Sequence, residues 1–231
     1  DTQEFFSTGS SLRDSTLEEQ MTVLQPDDLV QSILQRIQEL SFLQTPTITY
    51  CVQDDSLWKD KWKENFKPFH VADDIIIKPT WEDIPSDVKK DDIIIEIDPG
   101  SAFGTGTHET TKLCLLALRK YITPETTILD AGCGSGILAI AALLCGAKSA
   151  FCLDIDPAAV EGTLENAQKN HISSDRLQAI HANILENHKE ILAQCHAPFH
   201  ITVANILADV IVPLTDYIGE FMNEDSIFIS S

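Results

Sequence analysis

At 231 residues the chain can hold one large domain or a domain with an appendage, and its 43% hydrophobic content is ordinary for a globular protein. It has no run of about 18 apolar residues, and its opening, DTQEFFSTGSS, lacks the basic and apolar regions of a signal peptide, so no transmembrane helix and a cytoplasmic location are expected. Thirty-six acidic against 16 basic residues give a net charge of −20, which argues against a nucleic-acid backbone as the main partner because no Lys/Arg stripe compensates it. The acidity serves solubility first and, secondarily, attraction of a cationic protein.

Residues 1–22 are polar and aperiodic, with at most one strand near Phe5. After Pro26 and Asp27, the apolar residues Leu29, Val30, Ile33, Leu34, Ile37 and Leu40 fall at helical spacing to about Phe42, and TITYCVQ from Thr47 alternates as a strand. One helix and one or two strands cannot close a core, so residues 1–53 read as a partial α+β domain. Trp58, Trp62 and Phe66 then form an aromatic stripe at i, i+4, i+8, which predicts a linker helix over 54–66 that Pro68 ends. Two isoleucine-rich strands follow, Ile75–Lys78 and Ile93–Ile97, separated by an acidic turn-rich segment. The glycine/threonine loop SAFGTGTHETT, residues 101–111, feeds the helix TTKLCLLALRK, with Thr110 as a candidate cap.

TILDAGCGSG, residues 127–136, reads as a buried strand over Thr127–Leu129, then Asp130 and a turn with glycine at every second position. A strand, glycine turn and helix in succession can present backbone N–H groups and a positive helix end to a ligand. Gly132, Gly134 and Gly136 give G-x-G-x-G; the dinucleotide fingerprint wants a glycine where Ile137 stands, and no G-K-[ST] marks a phosphate loop. Asp130 would repel a pyrophosphate and welcome an ammonium, a combination suited to S-adenosylmethionine. Gly146 closes the next helix, and SAFCLDID is a second strand ending at Asp154, 22 residues beyond Gly132, about where an acid grips ribose hydroxyls in nucleotide-binding βαβ units. Asp156 and Pro157 read as N-cap and first residue of a helix reaching about Asn170. LQAIHANI is a third strand, with Asn183 either meeting an adenine edge or serving a turn. FHITVANIL is a fourth, ending at Asn205 on the ligand side of the sheet. A helix over 207–222, kinked at Pro213, and the strand SIFISS complete an α/β fold with a parallel sheet and right-handed crossovers. The six cysteines are expected to be free thiols, and Cys195, His196 and His200 are not expected to bind zinc.

DAGCGSG, CLDID and VANI, in this order, resemble the class I S-adenosylmethionine-dependent methyltransferases, which implies a Rossmann-like parallel sheet with helices on both faces. More narrowly, IDPGSAFGTGTHETT, ILDAGCGSGILAIAAL, LDIDPAAVEGTLENAQKN and VANILADV look like the PrmA family, which methylates a large-subunit ribosomal protein; WKDKWKENFKPF and IIIKPTW match as well, so the resemblance covers about residues 54–231. It implies a catalytic domain over 67–231 that, in the family, continues beyond the fifth strand, so C-terminal strands are expected to be missing here. It also implies a ferredoxin-like substrate reader at the N-terminus, of which 1–53 would be part. Thr111, Gly132, Asp154 and Asn205 become the cofactor-contacting positions, with Phe103, Thr107 and His108 lining the same pocket. Asp130, Gly134, Gly136, Ile155 and Asn183 complete the expected cofactor site.

The implied reaction is methyl transfer to lysine ε-amino or N-terminal α-amino groups of a basic protein, by a monomer that needs no membrane, metal or nucleic acid. Asn205 would orient the amine through its side-chain carbonyl. VANI lacks the N-P-P-aromatic run used for planar nitrogens, which leans toward an aliphatic amine. The alternatives are a methyltransferase for another protein lysine or small amine, a nicotinamide-dependent oxidoreductase, and a cofactor-binding scaffold without catalysis.

Overall fold

Strand and helix segments alternate from Thr127 onward, and parallel strands joined by helical crossovers can bury both faces of a sheet at once. The computed structural model describes residues 66–98 and 108–231. In chain order these form β1 (Phe69–Ala72), β2 (Ile75–Pro79), β3 (Ile93–Ile97), α1 (Glu109–Tyr121), β4 (Thr127–Ala131), α2 (Ile137–Leu144), β5 (Ser149–Asp154), α3 (Pro157–Lys169), β6 (Leu177–His181), α4 (Ile184–Gln194), β7 (Phe199–Ala204), α5 (Ala208–Ile218), a 3₁₀ turn (Gly219–Phe221) and β8 (Met222–Ser230). The expected helix and strand of residues 1–53, the helix before Phe66 and the loop residues 99–107 lie outside the described residues, so Phe103 and Thr107 do as well.

The main sheet is parallel throughout, in the order β6-β5-β4-β7-β8. The period-2 alternation of its strands separates two cores. Ile128, Ala150, Cys152, Ile201 and Val203 face one layer with α1 and α2. Leu129, Ala131, Phe151, Leu153 and Phe199 face the other, with Ile184 and Ile191 of α4 and Leu214 and Ile218 of α5. By that parity Asp130 shares the face of Ile128. β4 extends to Ala131, so Asp130 lies within the strand and not at the head of the turn. The last strand also begins earlier than SIFISS suggests, at Met222, with a register irregularity between Phe199 and Ile201 of its partner.

The isoleucine segments pair with each other in parallel, Ile75 opposite Ile93 through Pro79 opposite Ile97, and β1 adds antiparallel to β2. The short strand β1 gave no signal in FHVA, because four residues are too few to display a period. Ile75, Ile77, Ile95 and Ile97 join the core that lies under α2. Phe66, the last residue of the expected aromatic helix, belongs to no helix; it is buried against Phe69 and Trp81, with ring centroids at 6.4 and 6.0 Å. An ion pair between Arg119 and Asp74 ties α1 to the β1–β2 turn.

Among the described residues β3 is the edge of its sheet, and side chains bond its outer side. Asn170 accepts from the Glu96 N–H at 2.9 Å and donates to the Glu96 carbonyl at 2.6 Å. Asn166 does the same for Asp98, at 2.9 Å in each direction. The match is geometric: i, i+2 on a strand spans about 6.6 Å, and i, i+4 on a helix rises about 6 Å. Two asparagines one turn apart on α3 therefore replace a neighbouring strand. Asn166 is fully buried and also donates to the Ser135 carbonyl at 2.9 Å, joining β3 to the glycine turn.

Replacing Asn166 by leucine removes three hydrogen bonds to the backbone of Asp98 and Ser135. At about 1 kcal/mol per bond, Asn166→Leu should lower the unfolding free energy by about 3 kcal/mol in urea titration. A loss below about 1 kcal/mol would mean that water or a neighbour takes over these bonds.

Candidate cofactor site

The strand order reverses between β4 and β7, and ligands of open α/β sheets bind outside the carboxyl ends of the strands at that reversal. The glycine turn, residues 132–136, leaves β4 at this point. Gly132 has φ +82° and a Cβ there would stand 2.4 Å from Ile206 Cγ2; Gly136 has φ +78° and its Cβ would meet Thr163 at 2.8 Å. Both positions therefore require glycine for space as well as for backbone conformation.

The turn does not offer its amides to a ligand as its sequence suggests. Gly132 N–H and Cys133 N–H donate to the Leu153 carbonyl at 2.8 and 3.1 Å, Gly136 N–H donates to Cys133 O at 2.8 Å, and Gly134 N–H donates to Asp154 Oδ2 at 2.9 Å. Four amides are consumed inside the protein. One amide in the first turn of α2 is also bonded from within: Ala139 N–H donates to Asp130 Oδ2 at 3.2 Å. With these amides bonded to the chain's own groups, the turn has fewer free donors for a pyrophosphate than a phosphate-binding loop has.

Asp130 is 1% exposed, and its second oxygen, Oδ1, is buried without a hydrogen-bond partner. Burial pushes its carboxyl up to about 7, opposed by the Ala139 N–H bond and reinforced by the charge of Asp154. An orphaned carboxylate oxygen behind the turn favours a cationic group over an anionic one. Asp154 stands half-buried at the end of β5, its Oδ1 accepting from the Asp156 N–H at 3.0 Å. Each of its oxygens therefore holds one amide and keeps lone-pair capacity for a diol. The adjacent Ile155 is 70% exposed, an apolar surface beside that carboxylate.

On the other side of β4, Asn205 follows β7 directly and its Nδ2 donates to Thr111 Oγ1 at 3.1 Å. The fold thereby joins two expected site residues that are 94 positions apart. Thr111 is 1% exposed in the first turn of α1, and with the Asn205 amide anchored on it, the Asn205 carbonyl is left to accept from another donor. His108 is the N-cap of α1: its Nδ1 lies 2.7 Å from Thr110 Oγ1 and accepts from the Thr110 N–H at 3.3 Å, so histidine takes the capping place expected of Thr110. Asn183 caps α4 by accepting from the Leu185 N–H at 3.1 Å, which commits its carbonyl to the helix start and leaves its Nδ2 as the group that could face a ligand. Among the described residues no group of three or more His, Cys, Asp and Glu is placed to hold a metal.

Sequence reasoning passed over Thr163, Asn166 and Ile206, although all three touch the turn or fill the space above it. Thr163 and Asn166, at i and i+3 on α3, are both fully buried. Two polar residues sharing a helix face with Ala159 and Ala167 were the available signal.

The raised Asp130 carboxyl has a signed consequence. Its folded value lies above the ordinary 3.8, so the folded state retains the proton while the unfolded state releases it between pH 3.8 and about 7. Its contribution to stability is fully present below pH about 4 and is lost as pH rises through about 7. Relative to wild type, Asp130→Asn should gain on the order of 4 kcal/mol between pH 4 and pH 8, measured by denaturant unfolding at each pH. Parallel profiles for the two proteins would show that Asp130 titrates normally.

Comparison with known proteins gives a consistent result. Residues 3–231 match the family described as ribosomal protein L11 methyltransferase (PrmA). Over 191 residues the chain is 47% identical to a ribosomal protein L11 methyltransferase of Lachnoclostridium phytofermentans, covering 77% of this chain and 57% of that protein. Over 174 residues it is 43% identical to one of Clostridium botulinum (strain Eklund 17B / Type B), covering 75% and 52%. The crystal structure of a ribosomal protein L11 methylase from Lactobacillus delbrueckii subsp. bulgaricus superposes with a TM-score of 0.61 at 35% identity, covering 70% of this chain and 79% of that one. The chain spans about half the length of the curated relatives it matches. With its glycine turn, the acid closing β5 and the asparagine following β7 carried on a parallel sheet, the chain belongs to the ribosomal protein L11 methyltransferase (PrmA) family.

Proposed function

We propose that the chain is an S-adenosylmethionine-dependent protein methyltransferase acting on lysine ε-amino or N-terminal α-amino groups of a large-subunit ribosomal protein. One observation carries this reading: the glycine turn spends its amides internally and is backed by the buried Asp130 and flanked by Asp154. Such a cradle fits a nucleoside that carries positive charge and no phosphate. Asp154 would hold the ribose hydroxyls, Ile155 would lie against the adenine, and the orphaned Oδ1 of Asp130 would draw the ammonium end. Membership of a family whose relatives bear the name ribosomal protein L11 methyltransferase supports the substrate class.

The bound cofactor would supply a methyl group already activated on sulfur, so the residues of the chain have mainly to position the amine. The amine must be neutral to attack. Deprotonation at pH 7 costs a lysine about 4–5 kcal/mol and an α-amino group only about 1. An acid in direct contact would raise the amine pKa and so oppose the reaction. Asn205 avoids this conflict: Thr111 fixes its amide nitrogen, and its uncharged carbonyl accepts an N–H of the incoming amine while leaving the nitrogen lone pair for the methyl. The wider acidic surface, net charge −20, would gather a basic substrate from a distance. In this reading residues 67–231 form the catalytic domain and 1–53 contribute to substrate recognition, with 54–66 as the link between them.

Labelled S-adenosylmethionine should transfer methyl to purified large-subunit ribosomal proteins, with the modified amines located by mass mapping. Cofactor binding without transfer to any of them would favour a scaffold, and tight nicotinamide binding with none for S-adenosylmethionine would establish an oxidoreductase. A charge-assisted ribose contact is worth about 1.5–3 kcal/mol, so Asp154→Ala should weaken S-adenosylmethionine binding tenfold or more by calorimetric titration. A folded variant with wild-type affinity would remove Asp154 from the ribose role.

A further inference from the structure

Gly134 is gripped at both of its backbone polar groups. Its N–H donates to Asp154 Oδ2 at 2.9 Å, and its carbonyl accepts from the Thr163 hydroxyl at 3.0 Å. Thr163 is fully buried on α3, and the same hydroxyl lies 3.3 Å from Cys133 Sγ. Its methyl stands where a side chain at Gly136 would go. The Gly134 N–H shares a peptide plane with the Cys133 carbonyl, which accepts from the Gly136 N–H at 2.8 Å, while the Gly134 carbonyl lies in the next plane, held by Thr163. Glycine is the residue whose torsions sterics constrain least, so Gly134 keeps its place only while the planes on both sides of it are held. Releasing the carbonyl lets the turn shift about Gly134, and Asp154 Oδ2 then loses its fixed donor while Oδ1 keeps the Asp156 N–H.

We infer that Thr163 is a positioning residue of the nucleoside site: its hydroxyl holds Gly134, and Gly134 holds the Asp154 carboxylate in the orientation that grips a ribose diol. This rests on the ribose role proposed above for Asp154. Thr163 need not touch the cofactor at any point; it acts from the far side of the turn. Its neighbour on the helix, Asn166, holds the next carbonyl of the turn, that of Ser135, at 2.9 Å. Residues 134 and 135 are thus held from α3, while β5 supplies the carboxylate that faces the ligand.

A double-mutant cycle on S-adenosylmethionine affinity, measured calorimetrically, tests the inference. Thr163→Val keeps the shape and removes the donor. It should weaken binding about fivefold, the value of one lost hydrogen bond. In the Asp154→Asn background the same substitution should cost less than twofold, because the group it orients no longer carries the charge that holds the diol. Thr163→Ser, which keeps the donor, should recover affinity to within twofold of wild type, and this arm does not depend on the valine variant folding. Three results overturn the inference and leave the cofactor reading standing: unchanged affinity in Thr163→Val, a fivefold loss that persists without the Asp154 carboxylate, or an equal loss in Thr163→Ser. Wild-type protein that binds no S-adenosylmethionine overturns both.

Discussion

Two asparagine side chains of α3 bond the outer edge of β3 as a neighbouring strand would, and one of them also holds the glycine turn. Among the described residues β3 ends its sheet with an open row of backbone donors and acceptors, a row that costs free energy when it is buried without partners. Asn166 and Asn170 answer it residue by residue, because one turn of helix and two residues of strand advance by nearly the same distance. The pairing fastens α3 against β3, and β3 leads directly toward the segment that precedes His108 and α1. Since Asn166 also holds Ser135, the same side chain links that approach to the glycine turn. The β3 edge and the glycine turn are therefore both referenced to one helix.

The turn itself is defined as much by what it withholds as by what it presents. In a phosphate-binding loop the amides point at the ligand; here four of them point at Leu153, Asp154 and Cys133. Asp130 adds a buried carboxylate beneath the first turn of α2, where it accepts from the Ala139 N–H. The cost is a buried acid whose carboxyl is pushed up to about 7 and whose second oxygen has no partner. A destabilising feature of this kind is compatible with folding when it serves a site, and a cationic ligand group is what would relieve it. The site's charge logic thus runs opposite to that of dinucleotide folds built on a similar sheet.

Much of the fold was legible because strand and helix periods are written locally. The isoleucine triplets, the ILAIAALL run, the Asp156–Pro157 helix start and Gly146 after α2 each announce their element through patterning, capping or backbone conformation. Boundaries moved where a neighbour overrode the local signal: β4 runs on through Asp130 because β5 and β7 pair with it there, and β8 starts at Met222 because β7 offers it a partner. β1 escaped notice because it is too short to show a period. Gly132, Asp154 and Asn205 were singled out from spacing within βα units, and the fold places them at the carboxyl ends of β4, β5 and β7. The capping roles of His108 and Asn183 were not legible in this way, since a side chain that caps a helix and one that meets a ligand can occupy the same sequence position.

The sequence by itself determined the alternation of elements, the parity of the sheet faces and the positions at which glycine and acid close the strands. These depend on interactions within a few residues, and periodicity records them. Tertiary structure alone decided that Thr111 anchors Asn205 across 94 positions, that the turn's amides face inward, and that Thr163, Asn166 and Asn170 hold the turn and the β3 edge from α3. Each of those contacts joins segments distant in sequence through a single polar side chain. A lone threonine or asparagine has no period to betray it, and its partner is set by how the sheets and helices pack.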